Sequence, residues 1–399
     1  MKSSYEQHKF YDVICFSHLR WNFVYQRPQH LMSRFAASRR VFYVEEPIWG
    51  GEQASLSISK HENGPYIVVP HIPDENRADH EEILRGLLDG IMADQKVGNY
   101  CLWYYTPMAI GWSRHLKANA LSIVYDCMDE LSAFRGAAPE LQQHEIELLS
   151  AANLVFTGGF SLYESKRSLH RNVYPFPSSV DVSHFSQARA HTGQPDDQAA
   201  IPKPRIGFCG VIDERMDLDL VRSVASLRPD WHFVMLGPVV KISQSDLPRR
   251  SNIHYLGMKR YEELPAYLAG WDAAILPFAR NEATRFISPT KTPEYLAAGK
   301  PVVSTSIADV VRPYGTMGLV HIADDPETFV ASLEKAMSED SAKRQQQVDS
   351  FLARECWSRT WGRMAELIED SILSATGAAQ MPKTAEKPIA RAAAVGRTA

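Results

Sequence analysis

The sequence lacks the features of several broad classes of protein. None of its 399 residues belongs to a run approaching the roughly 18 apolar residues that span a bilayer. The start, MKSSYEQHKFYDVICF, has neither a long apolar run nor a small-residue cleavage site, so we expect no secretory signal. The formal net charge of -4 does not indicate a nucleic-acid-binding protein. Membrane-spanning, secreted and strongly basic classes are therefore not expected.

Cysteine pairs and metal-binding patterns are equally sparse. The five cysteines form no CxxC, and their odd number argues against a disulfide framework, so we expect buried thiols and a cytoplasmic compartment. The 14 histidines form no HExxH, and DLD at 217–219 falls in a helical pattern on which its two acids diverge. A Walker loop and GxGxxG are also missing. We therefore expect neither a metal nor another cofactor.

The sequence does contain a regular alternation of strand-like and helical segments. YDVICFSH and RRVFYVEEP are typical of buried strands, and Leu31, Met32 and Phe35 recur at helical spacing between them. Such alternation predicts a parallel sheet covered by helices on both faces. It stops at SQARAHTGQPDDQAAIPKP, a small, polar segment without an apolar period, and restarts at RIGFCGVI. The length also suggests two domains.

The predicted architecture is α/β, with two Rossmann-like domains facing each other across a cleft. The N-terminal domain covers residues 1–185, a linker covers 186–204, and the C-terminal domain covers 205–350. Residues 351–375 form a last amphipathic helix, and the tail 376–399, which lacks large apolar residues, is predicted to be disordered. Ligands of such sheets bind beyond the carboxyl ends of the strands, so we expect the site in the cleft.

The stretch RFISPTKTPEYLAAGKPVVST, residues 285–305, predicts a short helix followed by a strand. Ser288 or Thr290 can cap this helix, and Gly299 can end it. The first N–H groups and the Lys291 cation suit a diphosphate, and Glu294 could accept the hydroxyls of a ribose. An ordinary capped helix with a surface glutamate explains the pattern equally well. The residues predicted to surround the diphosphate are Ser288, Pro289, Thr290, Lys291 and Thr292.

Loops after the strands of the first domain carry further candidates. FSHLRWNFVYQRPQHL follows the first strand with more polar and aromatic groups than a turn needs, and His18 and Arg20 face the cleft if the loop turns directly. Asp126 and Asp129 follow a later strand in YDCMDELSAF. Hydrogen bonds to the loop backbone are an equal alternative for both aspartates. These four residues are the predicted catalytic candidates.

One longer pattern resembles a known family. S-P-x-K-x-x-E-Y-L-A-A-G-K-P-V-V-S-T, ending at Thr305, resembles the nucleotide-binding segment of GT-B glycosyltransferases of family 4, the glycosyl transferases group 1. The order of elements agrees over nearly the whole chain, including a terminal helix that in such enzymes crosses back to the first domain. YDVICFSHLRWNFVYQRPQHLMSRFA with VFYVEEP is similar to the start of a bacterial subgroup involved in surface-polysaccharide assembly. Phe286, however, occupies the position of the first of the family's two glutamates, with Glu282 off register, and the first loop lacks the family's glycines.

The resemblance implies roles for particular residues. Arg215 in GFCGVIDERMD and Lys241 in LGPVVK take the places of basic residues that contact the diphosphate, with a tight turn and a solvated lysine as alternatives. An aspartate at the end of YDCMD would lie near the donor sugar. The base would be held by Gly257, Met258 and Tyr261.

The expected function follows from this resemblance. It is a metal-independent, hexosyltransferase-like enzyme that moves a sugar from a nucleotide-diphosphate donor to a glycan or lipid-linked acceptor, with retention, in surface-polysaccharide biosynthesis. The expected partners are the nucleotide sugar and the acceptor, without nucleic acid, and the expected location is cytoplasmic with peripheral contact at the inner membrane leaflet. A GT-B-fold nucleotide-sugar epimerase and a non-catalytic GT-B-like binding protein stay open as alternatives. The missing first glutamate favours the second of these.

Overall fold

The chain forms two sheets, each covered by helices. The computed structural model describes residues 10–62 and 64–375, so the predicted tail at 376–399 lies outside the described residues. The strands are β1 (Asp12–Ser17), β2 (Val41–Glu45), β3 (Ile48–Trp49), β4 (Ser55–Lys60), β5 (Tyr66–Ile72), β6 (Tyr100–Tyr104), β7 (Ser122–Cys127), β8 (Leu154–Thr157), β9 (Val173–Pro175), β10 (Arg205–Cys209), β11 (His232–Leu236), β12 (Ile253–Gly257), β13 (Ala273–Leu276), β14 (Val302–Ser304) and β15 (His321–Ile322). The α-helices are α1 (Arg27–Ala36), α2 (His80–Asp94), α3 (Ile110–Ser113), α4 (Leu141–Ala151), α5 (Phe160–Lys166), α6 (Val182–Phe185), α7 (Asp196–Ala199), α8 (Leu218–Leu227), α9 (Leu264–Ala269), α10 (Lys291–Ala297), α11 (Ala308–Val310), α12 (Pro326–Ser338), α13 (Ser341–Leu352) and α14 (Trp357–Ala375).

Both sheets are built from parallel strands joined by crossover connections. The first runs in the order β3-β5-β2-β1-β6-β7-β8-β9, and β4 adds an antiparallel edge against β5. The second runs in the order β12-β11-β10-β13-β14-β15, and every pairing in it is parallel. Each order reverses direction beside its first strand, which is the doubly wound arrangement. The prediction of two Rossmann-like units is confirmed.

Alternation along β1 shows why both faces of the first sheet are covered. Successive side chains of a strand point to opposite faces. Ile14 and Phe16 pack in a core with α2 and α4, whereas Val13 and Cys15 pack in a second core with α1 and α14. Since α14 follows the second sheet in the chain, its place on the first sheet confirms the helix that crosses back. Its buried contacts come from Trp357, Met364, Ala365, Leu367, Ile368 and Ile372.

The segment predicted to be a linker packs on the second domain. Gln198 is fully buried, donates to the Tyr267 carbonyl at 3.0 Å and accepts from the Trp271 indole at 2.9 Å. Val180 and Phe185, which precede the predicted linker, already lie in the second domain's core. An apolar period could not reveal this docking, because polar side chains make much of it. Residues 186–204 therefore form part of the second domain's surface layer.

Helix composition adds one further observation. Among the described residues, no helix is both long enough and apolar enough to cross a membrane. The longest, α14, has 19 residues and alternates apolar with charged positions because it lies on the first sheet.

Candidate active site

A small cavity lies between the two domains, at the carboxyl ends of their strands. Its volume is about 130 Å³. The first domain contributes Arg27 and Asp129, and the second contributes Gly210, Arg215 and the loop before α10. Two cations, a carboxylate and exposed backbone thus converge on one enclosed space. This is the kind of site that the two-domain architecture predicts.

A second space, which we call the aromatic cavity, adjoins the small one. It has a volume of about 400 Å³, and Cys209, Gly210 and Lys291 line both cavities. Its remaining walls come from both domains. They include Trp21, Asn22, Phe23, Val24 and Tyr25 of the first domain and Pro238, Met258, Arg260 and Tyr261 of the second. A flat ring and a diphosphate could therefore occupy adjoining spaces.

A third space, the first-domain cavity, has a volume of about 470 Å³. It lies at the carboxyl ends of β1 and β2, under the loop that follows β7. His18, Trp49, Trp112 and Phe134 line it, and Lys241 reaches it from the second domain. The cleft therefore offers separate places for two ligands.

Glycines let the second domain's strand ends approach closely. Gly237 has a φ of +139°, and a Cβ there would meet the Gly210 carbonyl oxygen at 1.8 Å. Only glycine fits at that position. Gly207, in contrast, is required by core packing, since a Cβ would overlap the Trp271 ring at 1.9 Å. The space beside Gly207 is therefore taken by an indole and not by a ligand.

The loop before α10 partly matches its prediction. Ser288, Pro289, Thr290 and Lys291 line the small cavity, whereas Thr292 is buried away from it. The helix begins after Thr290 without a side-chain cap, so the predicted capping by Ser288 or Thr290 is wrong. The Ser288 carbonyl instead accepts from the Ser178 hydroxyl at 3.0 Å, which ties this loop to the chain leaving the first domain. Gly299, the residue after the C-cap of this helix, has a φ of +79°, which is the left-handed conformation predicted for the glycine that ends the helix.

Glu294 is bound to Lys291. The Lys291 ammonium donates to Glu294 Oε2 at 2.7 Å, and both side chains are buried. Burial raises the pKa of Glu294, and the Lys291 charge opposes this shift. Lys291 forms a wall of both adjoining cavities, and Glu294 lines neither. Ribose binding by Glu294 stays a prediction, and a ribose would have to displace the Lys291 contact.

The two basic residues predicted for the diphosphate lie in different cavities. Arg215 lines the small cavity and binds Asp213 through Nη2 at 2.7 Å. Lys241 lines the first-domain cavity, and its nearest acid is Glu214 at 3.5 Å. Both cations lie over the Phe134 ring, with the Arg215 guanidinium 5.4 Å and the Lys241 ammonium 5.1 Å from its centre. Lys241 is therefore near Arg215, although it lines the first-domain cavity and not the small cavity.

The two predicted catalytic aspartates also have different surroundings. Asp126 is fully buried and accepts from Arg27 Nε and Nη2 at 3.0 and 2.7 Å. It lines no part of the three cavities, so it is not placed to meet a substrate. Asp129 lines the small cavity, and burial raises its pKa to about 6 while Arg215 opposes the rise. Of the two, only Asp129 can face a ligand.

The two candidates in the loop after β1, His18 and Arg20, also have different surroundings. His18 lines the first-domain cavity, and burial lowers its pKa to about 4, so the imidazole is neutral at pH 7. Its Nδ1 is buried without a hydrogen-bond partner among the described residues. Arg20 lines none of the three cavities and donates to Glu45 at 2.9 Å and to the Glu46 carbonyl at 2.6 Å. A catalytic role for Arg20 stays a prediction.

Residues predicted to hold the base lie at the aromatic cavity, with one exception. Met258 and Tyr261 line it, and Gly257 does not. Tyr261 stacks on Tyr25 of the first domain at 4.5 Å and on His184 at 4.2 Å between ring centres. Tyr25 and His184 escaped prediction because nothing in the sequence shows that their rings meet Tyr261.

Three further residues at the domain interface carried no functional prediction. Arg27 lines the small cavity. It lies beside the proline in the first turn of α1, and this position at the start of a helix could have indicated a residue of the site. Phe286, at the family's first glutamate position, packs against the first domain's core. Asp309 accepts from the Ser161 N–H at 3.0 Å, and burial raises its pKa to about 6. No local pattern marks Asp309, since its partner lies 148 residues away.

Metal-binding side chains do not cluster in the part of the chain that the structure describes. No group of three or more His, Cys, Asp or Glu is arranged to hold a metal ion there. The positive charges around the small cavity are instead the side chains of Arg27, Arg215 and Lys291.

Comparisons with known proteins agree with this geometry. A family model described as Glycosyl transferases group 1 matches residues 203–339. TuaH of Bacillus subtilis (strain 168), named as a teichuronic acid biosynthesis glycosyltransferase, is 25% identical over 279 residues, covering 64% of this chain and 68% of TuaH.

Solved structures show the same fold at low identity. Sucrose-phosphate synthase from Thermosynechococcus elongatus superposes with a TM-score of 0.70 at 12% identity, over 91% of this chain and 100% of that one. The α,α-trehalose 6-phosphate synthase from Burkholderia multivorans gives 0.65 at 13% identity, over 95% of this chain and 100% of that one.

The fold is the two-domain GT-B architecture of these solved structures. The second domain matches the glycosyl transferases group 1 model, and the related sequence is named a glycosyltransferase. The chain is therefore a glycosyltransferase whose residues 203–339 are similar to the glycosyl transferases group 1.

Proposed function

We propose that the enzyme transfers a sugar from a nucleotide-diphosphate donor to a glycan or lipid-linked acceptor in surface-polysaccharide biosynthesis. The supporting observation is the small cavity, where Arg215, Lys291 and the loop before α10 adjoin the aromatic cavity. The name of TuaH, which refers to teichuronic acid biosynthesis, supports the choice of pathway. With a lipid-linked acceptor, the enzyme would work at the cytoplasmic face of the membrane.

The proposed donor lies with its base in the aromatic cavity and its diphosphate in the small cavity. Tyr261 and Met258 would contact the base. As the glycosidic bond breaks, negative charge accumulates on the diphosphate, and Arg215 and Lys291 would stabilise it. Protein cations would then replace a metal ion in this role.

The proposed reaction retains the anomeric configuration. Asp129, on the first-domain wall of the small cavity, would face the positive charge that develops on the sugar ring. Neutral His18, on the wall of the first-domain cavity, would contact the acceptor through its ring. If Asp129 instead removes the acceptor's proton as a general base, inversion becomes the expected outcome.

Thermal unfolding with UDP, GDP, ADP and dTDP tests the donor site. A nucleotide at a hundred times its dissociation constant stabilises the protein by about 2.7 kcal/mol, which raises the unfolding midpoint by several degrees. Arg215→Gln keeps a hydrogen-bond donor for Asp213 but removes the charge. We expect it to weaken binding of the stabilising nucleotide about 10- to 100-fold, since a charged hydrogen bond contributes roughly 1.5–3 kcal/mol.

Arg222→Gln is the matched control, because Arg222 lies exposed on α8 and pairs only with Asp219. Its nucleotide affinity should equal that of the wild type. If no nucleotide stabilises the wild-type protein, the proposed donor site is wrong. Release of altered donor without any acceptor would instead indicate an epimerase.

A further inference from the structure

Lys241 has an unusual position for a residue expected to bind the donor. It reaches from the second domain into the first-domain cavity and does not line the small cavity. Lys241 and Arg215 both lie over the Phe134 ring. The φ of Lys241 is +63°, a conformation that non-glycine residues adopt uncommonly and that is found at constrained functional sites. Lys241 thus combines an uncommon backbone conformation with a place on the wall of the first-domain cavity.

Two cations on the wall of this cavity have no close counter-charge. Glu45 is neutralised by Arg20 at 2.9 Å. Arg135, also on the wall, makes no ion pair within the described ranges. Lys241 has only the 3.5 Å contact with Glu214, which is too long for a strong ion pair. Such cations suit an anionic group.

The rest of the wall has the chemistry that recognises a sugar. Trp49 and Trp112 present flat apolar surfaces, and Glu46 and Glu81 present carboxylate oxygens that accept hydroxyl hydrogen bonds. Arg77 covers one face of the Trp49 ring at 4.4 Å, and the same ring lines the cavity. A volume of about 470 Å³ is within the usual range for a small-molecule site.

We propose that the acceptor is a saccharide bearing an anionic group, a carboxylate or a phosphate, which Lys241 and Arg135 bind in the first-domain cavity. The sugar ring lies along the tryptophans, with hydroxyls toward Glu46 and Glu81. This inference rests on the proposed glycosyl transfer and specifies its acceptor. Lys241 then acts as an acceptor-binding residue contributed by the domain that holds the donor.

Binding of matched small probes to the full chain tests this assignment. The probes are glucose, glucuronic acid, glucose 6-phosphate and inorganic phosphate, titrated by calorimetry with the stabilising nucleoside diphosphate present. We expect glucuronic acid or glucose 6-phosphate to bind at least about tenfold more tightly than glucose. Whichever of the two binds more tightly identifies a carboxylate or a phosphate as the recognised group.

Variants of the lysine separate the two cavities. Lys241→Met should reduce binding of the anionic sugar to the level of glucose and change nucleotide affinity less than twofold. Lys241→Arg should retain most of the binding, and Lys335→Met, an exposed change on α12, should have no effect.

Several results would overturn the proposal. They are equal binding of glucose and both acids, no binding of either acid at millimolar concentration, and inorganic phosphate binding as tightly as the sugar phosphate. Loss of nucleotide binding in Lys241→Met would return this residue to the donor site. Because nucleotide affinity is measured on the same samples, failure of the acceptor assignment is distinguishable from failure of the proposed function.

Discussion

The two domains differ in how they use charged side chains near the cleft. In the first domain, Arg27 is paired with Asp126 and Lys166 with Glu145 inside the protein. In the second, Arg215 and Lys241 remain 25% and 42% exposed, and each lines a cavity. These first-domain cations are therefore held in buried ion pairs. The second domain's cations stay partly exposed at the cavity walls, although Arg215 is also paired with Asp213.

Asp126, near the end of β7, and Asp129, three residues later, show the same contrast. Asp126 holds Arg27 in the interior, whereas Asp129 faces Arg215 across the small cavity. The two aspartates lie in one short segment of the chain, but their cationic partners differ. The role of each aspartate therefore depends on which cationic side chain lies beside it.

The largest expected effect concerns the buried pair. Asp126→Asn leaves the Arg27 charge without a counter-charge, and breaking a buried pair in this way costs about 3–5 kcal/mol. Urea unfolding followed by tryptophan fluorescence should show this loss of stability. The double change Arg27→Met with Asp126→Leu should recover part of it, since no charge is then left buried. A loss below about 1 kcal/mol would contradict the structural role of the pair.

Asp129→Asn should instead lower catalysis. We expect nucleoside diphosphate release from the donor to fall at least about 100-fold, with a urea midpoint no lower than that of the wild type, because the carboxylate faces the reacting groups. Burial raises its pKa to about 6, so wild-type turnover should increase as pH rises through 6 and the carboxyl ionises. Asp219→Asn, at an exposed position on α8, is the control. Equal rates for wild type and Asp129→Asn would remove Asp129 from the mechanism.

The smallest effect is expected at the domain interface, in Asp309→Asn. The folded-state pKa of about 6 exceeds the ordinary value of 3.8, so the folded protein binds the proton more tightly. Wild-type stability should therefore decrease as pH rises from about 4 to 6. An asparagine oxygen can still accept from Ser161 without this penalty. The variant's gain in unfolding midpoint should be larger at pH 7.5 than at pH 5, and a pH-independent difference would contradict the prediction.

Much of the site could be predicted because strand ends and helix starts are local features. The loop before α10 and Asp129 were placed near the cleft from their position after a strand, and Arg215 and Tyr261 from the family resemblance. Arg20 and Lys241 could not be placed in this way. The direction of a long side chain depends on Glu45 in one case and on a left-handed backbone in the other.

The sequence by itself determined the two α/β domains and the segment that forms the loop before α10, and the family resemblance implied the helix that returns to the first sheet. The first two follow from apolar periodicity and from prolines and glycines at the ends of helices and strands, which act over a few residues. Only the tertiary structure decided that Asp126 is buried, that Lys241 and Arg215 lie in separate cavities and that residues 186–204 dock on the second domain. These outcomes depend on partners distant in the chain, because burial and ion pairing are set by what the fold brings together.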